Sequence, residues 1–153
     1  MKIYYREKSG GIEILRCFGI ESRVEIPGMI EDKLVVSAAP YAFSSHMEEK
    51  EELKNACLWE VSDGLGFGRE EHVLAGNDVE EIAFPHTLKE IGRYIFYGCG
   101  NLKKLEFSDS LMQIGCGAFT GCHALEKLTV HMRQGKKSGV KEMLGEMWQR
   151  IDV

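Results

Sequence analysis

The chain has 153 residues, of which 44% are hydrophobic and 28% charged, and its formal net charge is −5 at pH 7. This composition is ordinary for one soluble globular domain and excludes disordered, collagenous and coiled-coil chains. Mild acidity argues against nucleic acid as the main partner. Because no apolar run approaches the roughly 18 residues of a membrane helix and no secretory leader is visible, we expect a cytoplasmic protein without membrane contact.

A β-hairpin is predicted over residues 2–18, where two strand-like runs flank Lys8-Ser9-Gly10-Gly11. The segment 23–43 that follows is a degenerate copy of a unit that recurs later in the chain. Ile26-Pro27 corresponds to Phe84-Pro85, and Tyr41 and Phe43 correspond to Tyr94 and Phe96. We expect residues 1–46 to form a β cap and a first, irregular repeat.

An insertion of helix and loop is predicted over residues 47–78. A capping-box pattern from Ser45 to Glu48 precedes a helical pattern of apolar residues: Met47, Leu53, Ala56, Cys57 and Val61. The glycines at 64, 66 and 68 lack the G-x-G-x-x-G spacing of a phosphate-binding loop. We therefore expect a flexible loop at these glycines and not a phosphate-binding site.

Regular repeats of 23 residues occupy residues 79–132. Stepping by 23 aligns apolar with apolar, or glycine and cysteine with themselves, at Val79/Leu102/Leu125, Ile82/Leu105/Leu128, Phe84/Phe107/Val130, Leu88/Leu111, Ile91/Ile114, Gly92/Gly115, Phe96/Phe119, Gly98/Gly121 and Cys99/Cys122. Each unit is too small to bury its apolar residues alone, so stacked units must share one core. The alternating x-L-x-F part predicts a strand, and Gly98 and Gly121 predict left-handed turns.

An amphipathic helix is predicted within residues 133–153, with apolar residues recurring every three or four positions from Val140 to Ile151. The expected fold is thus an α+β repeat solenoid in one domain. It has about three coils with parallel strands, an N-terminal β-hairpin cap and a C-terminal capping helix.

The segments LKEIGRYIFYGCGNLKKLEF and LMQIGCGAFTGCHALEKLTV resemble the BspA-type leucine-rich repeats, whose unit is L-x-x-I-G-x-x-A-F-x-G-C-x-x-L-x-x-L-x-F/I-P. The similarity is specific over residues 79–131 and looser over 23–43. Ser110 stands where common leucine-rich repeats have asparagine, which implies a different turn. The resemblance implies a short leucine-rich-repeat solenoid and a protein-binding role, often in secreted or surface proteins.

The residues between the buried positions of each strand should point outward on the concave sheet. They should form columns whose members lie on neighbouring strands, about 4.8 Å apart. Repeat proteins generally bind partners on this surface. We therefore predict a non-catalytic protein-interaction module or scaffold with the following contact residues: Glu81, Ala83, Lys104, Glu106, Lys127, Thr129 and His131. Pro85, Ser108 and His131 form a further column of equivalent positions, and this column is also expected to face outward.

Two alternatives remain open: a thiol-based redox protein or cysteine-dependent enzyme using Cys116 or Cys122, and a piece of a larger protein whose activity lies elsewhere. The five cysteines are expected to be free thiols, with Cys99 and Cys122 packed in adjacent coils. No metal-ligand spacing or catalytic constellation is recognisable, so we expect no cofactor. A basic cluster could meet an acidic protein or a phosphate-bearing surface: Lys127, His131, Arg133, Lys136, Lys137 and Lys141.

Overall fold

A computed structural model describes residues 1–44, 53, 55–60, 72–132 and 144. A short 3₁₀ turn spans Gly76–Asp78. The strands, in chain order, are β1 (Lys2–Lys8), β2 (Gly11–Gly19), β3 (Arg23–Glu25), β4 (Met29–Ile30), β5 (Lys33–Ala38), β6 (Cys57–Glu60), β7 (His72–Val73), β8 (Glu81–Ala83), β9 (Glu90–Ile91), β10 (Lys104–Ser108), β11 (Gln113–Ile114) and β12 (Lys127–His131).

The N-terminal hairpin forms as predicted. β1 and β2 pair antiparallel, with Lys8 opposite Gly11. The two residues between them, Ser9 and Gly10, have φ values of 51° and 78°. Two left-handed residues match the twist of a hairpin and give a tight connection. On its other side β2 pairs parallel with β5, so the hairpin covers an edge of the repeat array.

Two parallel ladders build the solenoid. One sheet has the strand order β12-β10-β8-β3, and the other contains the run β11-β9-β5. Leu105 lies opposite Leu128 in one ladder, and Gln113 lies opposite Glu90 in the other. Residues 23 apart are therefore side by side, as the repeat predicts. The described residues contribute four coils to the first sheet, and not about three, because β12 starts a further coil and β3 pairs in register despite its irregular spacing.

Stacked phenylalanines fill the space between the two sheets. Phe43, Phe96 and Phe119 form one ladder with ring centroids 6.1 Å and 5.8 Å apart. Phe84 and Phe107 form a second, with centroids 5.1 Å apart and rings nearly parallel. The predicted spine of Phe96 and Phe119 is confirmed, and burial of these rings supplies much of the hydrophobic stabilisation.

Two side-chain hydroxyls at equivalent positions of successive repeats donate hydrogen bonds to the preceding coil. Thr87 Oγ1 donates a hydrogen bond to the carbonyl of Val35 at 2.7 Å, and Ser110, one repeat later, donates to the carbonyl of Leu88 at 2.7 Å. Ser110 occupies the position at which the common repeats have asparagine. The turn therefore keeps a side-chain donor to the neighbouring coil, but from a shorter residue.

The predicted helix of the insertion is wrong over Cys57–Glu60, which form β6 and pair antiparallel with β1. The otherwise open edge of β1 offers unpaired backbone groups, and pairing there satisfies both strands. His72–Val73, within the same predicted insertion, form β7 and pair antiparallel with β2. Residues 45–52, 54 and 61–71 lie outside the described residues. The C-terminal capping helix also lies outside them apart from Leu144, which is buried at 5% exposure in the common core.

Candidate functional site on the sheet face

The outward side chains of the four-stranded sheet form one continuous surface. We call this surface the sheet face and define it by Arg23, Glu25, Glu81, Ala83, Lys104, Glu106, Lys127, Thr129 and His131. Alternation along β10 buries Leu105 and Phe107 while Lys104 and Glu106 remain accessible. The structure thus brings together all seven residues predicted as contacts.

Strand register places those residues in rows across the sheet. Arg23, Glu81, Lys104 and Lys127 lie opposite one another along one row, and Glu25, Ala83, Glu106 and Thr129 along the next. Arg23 and Glu25 were missed by the sequence prediction. The correspondence of Ile26 with Phe84 could have found them, because it also aligns residue 23 with residue 81.

Exposed ion pairs link much of the sheet face. Glu81 lies 3.6 Å from Arg23 Nε and 3.6 Å from Lys104 Nζ, so it is shared by both cations. Glu106 Oε2 lies 3.4 Å from His131 Nε2. Pairs this exposed contribute little to stability, and a partner can replace them at low cost.

Lys127 differs from the other cations of the sheet face. Within the described parts of the chain, no carboxylate is in salt-bridge contact with it. Its register partner on β10 is Lys104, so two like charges face each other across adjacent strands. Such a juxtaposition opposes folding slightly.

The predicted outward position of Ser108 is wrong. Ser108 is only 6% exposed, and its hydroxyl donates to the carbonyl of His86 at 3.4 Å and lies 2.5 Å from Ser110 Oγ. The hydroxyl turns inward because these local partners satisfy it away from water. In the basic cluster, Lys127 and His131 are exposed, and the other four residues lie outside the described ranges.

Cys99 and Cys122, at equivalent positions of adjacent repeats, each bond to the backbone of the preceding coil. Cys99 Sγ donates to the carbonyl of Phe43 at 3.1 Å, and the equivalent Cys122 Sγ donates to the carbonyl of Phe96 at 3.3 Å. Burial raises the pKa of both thiols from 9.0 to about 12, and it raises the pKa of Cys17 to about 12 as well. All five cysteines are free, and Cys57 and Cys116 are exposed.

Thiol labelling separates the two groups of cysteines. Because the thiolate is the reactive form, Cys57 and Cys116 should react rapidly with iodoacetamide at neutral pH in the native protein. Cys17 and Cys99, which are buried, should react only when urea unfolds the chain, and the half-buried Cys122 should react slowly in the native protein. Mass spectrometry of the peptides measures this order. Rapid native labelling of Cys122 would contradict its packing between coils, and only slow labelling of both Cys116 and Cys122 would dismiss the thiol alternative.

The same burial predicts how stability depends on alkaline pH. The folded pKa of these three thiols exceeds the unfolded value, so the unfolded state releases protons first as pH rises. The contribution of these three thiols to the free energy of unfolding should therefore be fully present below pH 9 and be lost between pH 9 and about 12.

No cluster of three or more metal-ligating side chains occurs in the ranges that the structure describes. Over the same ranges, no helix is both long and apolar enough to cross a bilayer.

Comparison with known families decides the repeat type. Residues 70–139 match the family model described as "BspA type Leucine rich repeat region (6 copies)". The repeats within residues 70–139 are BspA-type leucine-rich repeats. No curated protein is significantly similar in sequence to the chain.

A solved structure shares the leucine-rich-repeat fold. It is the crystal structure of a leucine rich cell surface protein from Faecalibacterium prausnitzii A2-165, with a TM-score of 0.55 and 19% sequence identity. The match covers 84% of this chain and 30% of the other, so the present chain spans less than a third of that protein. At this identity the similarity concerns the leucine-rich-repeat fold alone.

Proposed function

We propose that this protein is a non-catalytic interaction module that binds a protein partner on the sheet face. The observation that carries the proposal is the continuous row structure of that face, where strands from four coils present side chains in register. The stability of the fold depends little on the exposed ion pairs of this face, because the core lies on the opposite side of the strands. Residues of the sheet face can therefore differ according to the partner without loss of the fold.

Two further features support binding and not catalysis. The repeated thiols donate hydrogen bonds to neighbouring coils, and burial raises the pKa of Cys122 to about 12, which disfavours the reactive thiolate there. Ala83 and Thr129 are small and half-buried, so they leave shallow positions between the longer charged side chains. Such positions accept side chains of a partner.

Site-specific photo-crosslinking in the native cell tests the proposal. A benzoylphenylalanine at position 83 or 129 should give covalent adducts with another protein. The same group at Met112, a residue 74% exposed next to β11 in the other sheet, serves as the control. Adducts at Met112 alone, or none at positions 83 and 129, would contradict the assignment of the sheet face.

We also propose a cytoplasmic location, supported by five unpaired cysteines, which suit a reducing compartment. Fractionation of the native cell tests it, and recovery in the surface fraction would overturn it. Whether a longer protein carries this module is tested by the size of the native polypeptide on an immunoblot.

A further inference from the structure

We infer that the partner presents a carboxylate-rich protein segment to Lys104 and Lys127, at the β10–β12 end of the sheet face. The inference rests on the proposed function and specifies the chemistry of the partner. It follows from the distribution of charge, from the ion pairs already formed and from the strand register.

Charge is divided unevenly along the sheet face. The β3 and β8 half carries Arg23, Glu25 and Glu81 and is negative by one charge. The β10 and β12 half carries Lys104, Glu106 and Lys127 and is positive by one charge, with His131 beside it. Since the whole chain has a net charge of −5, a positive area stands out electrostatically.

The internal carboxylates leave this positive end incompletely neutralised. Glu81 is shared between Arg23 and Lys104, at 3.6 Å from each, and Glu106 lies against His131. Lys127 has no such contact with the described residues. Immediately before these strands, exposed Lys103 and Glu126 add one charge of each sign and leave the balance unchanged.

Register makes Lys104 and Lys127 a joint site. They are opposite one another on neighbouring strands, which lie about 4.8 Å apart. A carboxylate placed over these two residues would attract Lys127 Nζ and would compete for Lys104 Nζ with Glu81, which lies 3.6 Å from it. Thr129, two residues after Lys127, is a small neighbour that leaves room for the rest of such a segment.

A protein segment fits this site better than a nucleic acid does. Glu81 lies in the same row as the two lysines and Glu106 lies in the next row, and both would repel the closely spaced phosphates of a nucleic acid backbone. A protein segment can instead place carboxylates at the lysines and neutral or basic residues beside the two glutamates. Electrostatic complementarity of this kind determines specificity.

Nitrogen–proton correlation NMR at low salt tests the inference with four probes: a short peptide of alternating Glu and Ser, its Lys-Ser counterpart, a Gly-Ser peptide and a single-stranded oligonucleotide. The Glu-Ser peptide should shift the amide signals of β10 and β12 and no other strands. Its Kd should be about tenfold weaker for K104E/K127E, because two exposed charge contacts become repulsive. Added salt should reduce binding as well.

K89E/R93E is the matched control. It changes the net charge by the same amount, but at exposed residues that flank β9 in the other sheet. Its affinity for the Glu-Ser peptide should stay close to that of the unchanged protein, and the melting temperatures of both double variants should match it. An equal loss of affinity in both variants would show a general charge effect and overturn the inference.

The remaining outcomes are also decisive. Shifts at β10 and β12 with the Lys-Ser peptide, or with the oligonucleotide more strongly than with the Glu-Ser peptide, would overturn the inference, as would no shift with any probe. None of these results removes the proposed function, which fails separately if crosslinking at positions 83 and 129 finds no partner.

Discussion

Replacing Phe96 with alanine is expected to lower the free energy of unfolding by about 3–5 kcal/mol. The ring is 0% exposed. Its centroid lies 6.1 Å from those of Phe43 and Phe84 and 5.8 Å from that of Phe119. Removing it opens a cavity between coils, and the two sheets cannot close around that cavity without breaking their register.

Urea denaturation followed by circular dichroism measures this loss. Phe119→Ala is the comparison, because Phe119 ends the ladder and is only half-buried, so its loss should be smaller. Met112→Ala, at an exposed side chain, should change stability by no more than about 0.5 kcal/mol. A Phe96→Ala variant as stable as Phe119→Ala would contradict the placement of Phe96 at the centre of the core.

Replacing Gly115 with alanine should cost about 2–3 kcal/mol, although it adds a single methyl group. A Cβ at this position would lie 2.6 Å from Arg93 Cα and closer still to Arg93 N and Gly92 C. These are backbone atoms of the preceding coil, so no side-chain rotation can relieve the overlap. Gly92 faces the same restriction from Ala39 and Pro40 in the coil before it.

Gly28→Ala is the control for that experiment. A Cβ there would meet Pro85 Cβ at 3.6 Å, an ordinary van der Waals contact. Stability should therefore stay the same or rise by up to about 1 kcal/mol, since alanine reduces the freedom of the unfolded chain. Equal destabilisation by the changes at Gly28 and Gly115 in thermal unfolding would contradict close stacking of the coils.

The sequence predicted the stacked architecture because the same physical requirement recurs at each repeat. Leu105 and Leu128 need the same wall, and Gly98 and Gly121 have φ values of 78° and 85° because the same chain reversal follows each. Equivalent residues at a fixed spacing of 23 therefore predicted both the strands and the register in which they pair. Tyr41 and Tyr94 also occupy equivalent positions and stack with centroids 5.6 Å apart.

Residues without a repeated counterpart were harder to predict. The helical pattern through Cys57 reflects local sequence, whereas β6 depends on the open edge of β1, which is more than 50 residues away in the chain. Ser108 follows the strand alternation, but it turns inward because Ser110 and the carbonyl of His86 lie within reach. Long-range pairing and local hydrogen bonds decided both cases.

The candidate site was predictable in its rows but not in its charge pairing. Alternation within β10 and β12 identified Lys104, Glu106 and Lys127 as outward-facing. The sharing of Glu81 by Arg23 and Lys104 depends on how side chains lean between strands, which spacing does not determine. The lack of a described carboxylate beside Lys127 likewise depends on where the neighbouring side chains lie.

Nuclear Overhauser contacts between aromatic rings test the central claim, that residues one repeat apart lie in neighbouring coils around a shared core. The account predicts cross-peaks from the Phe96 ring to both Phe43 and Phe119, and from Phe84 to Phe107. Absence of the Phe96–Phe119 and Phe84–Phe107 contacts in the folded protein would contradict the solenoid and the sheet face together.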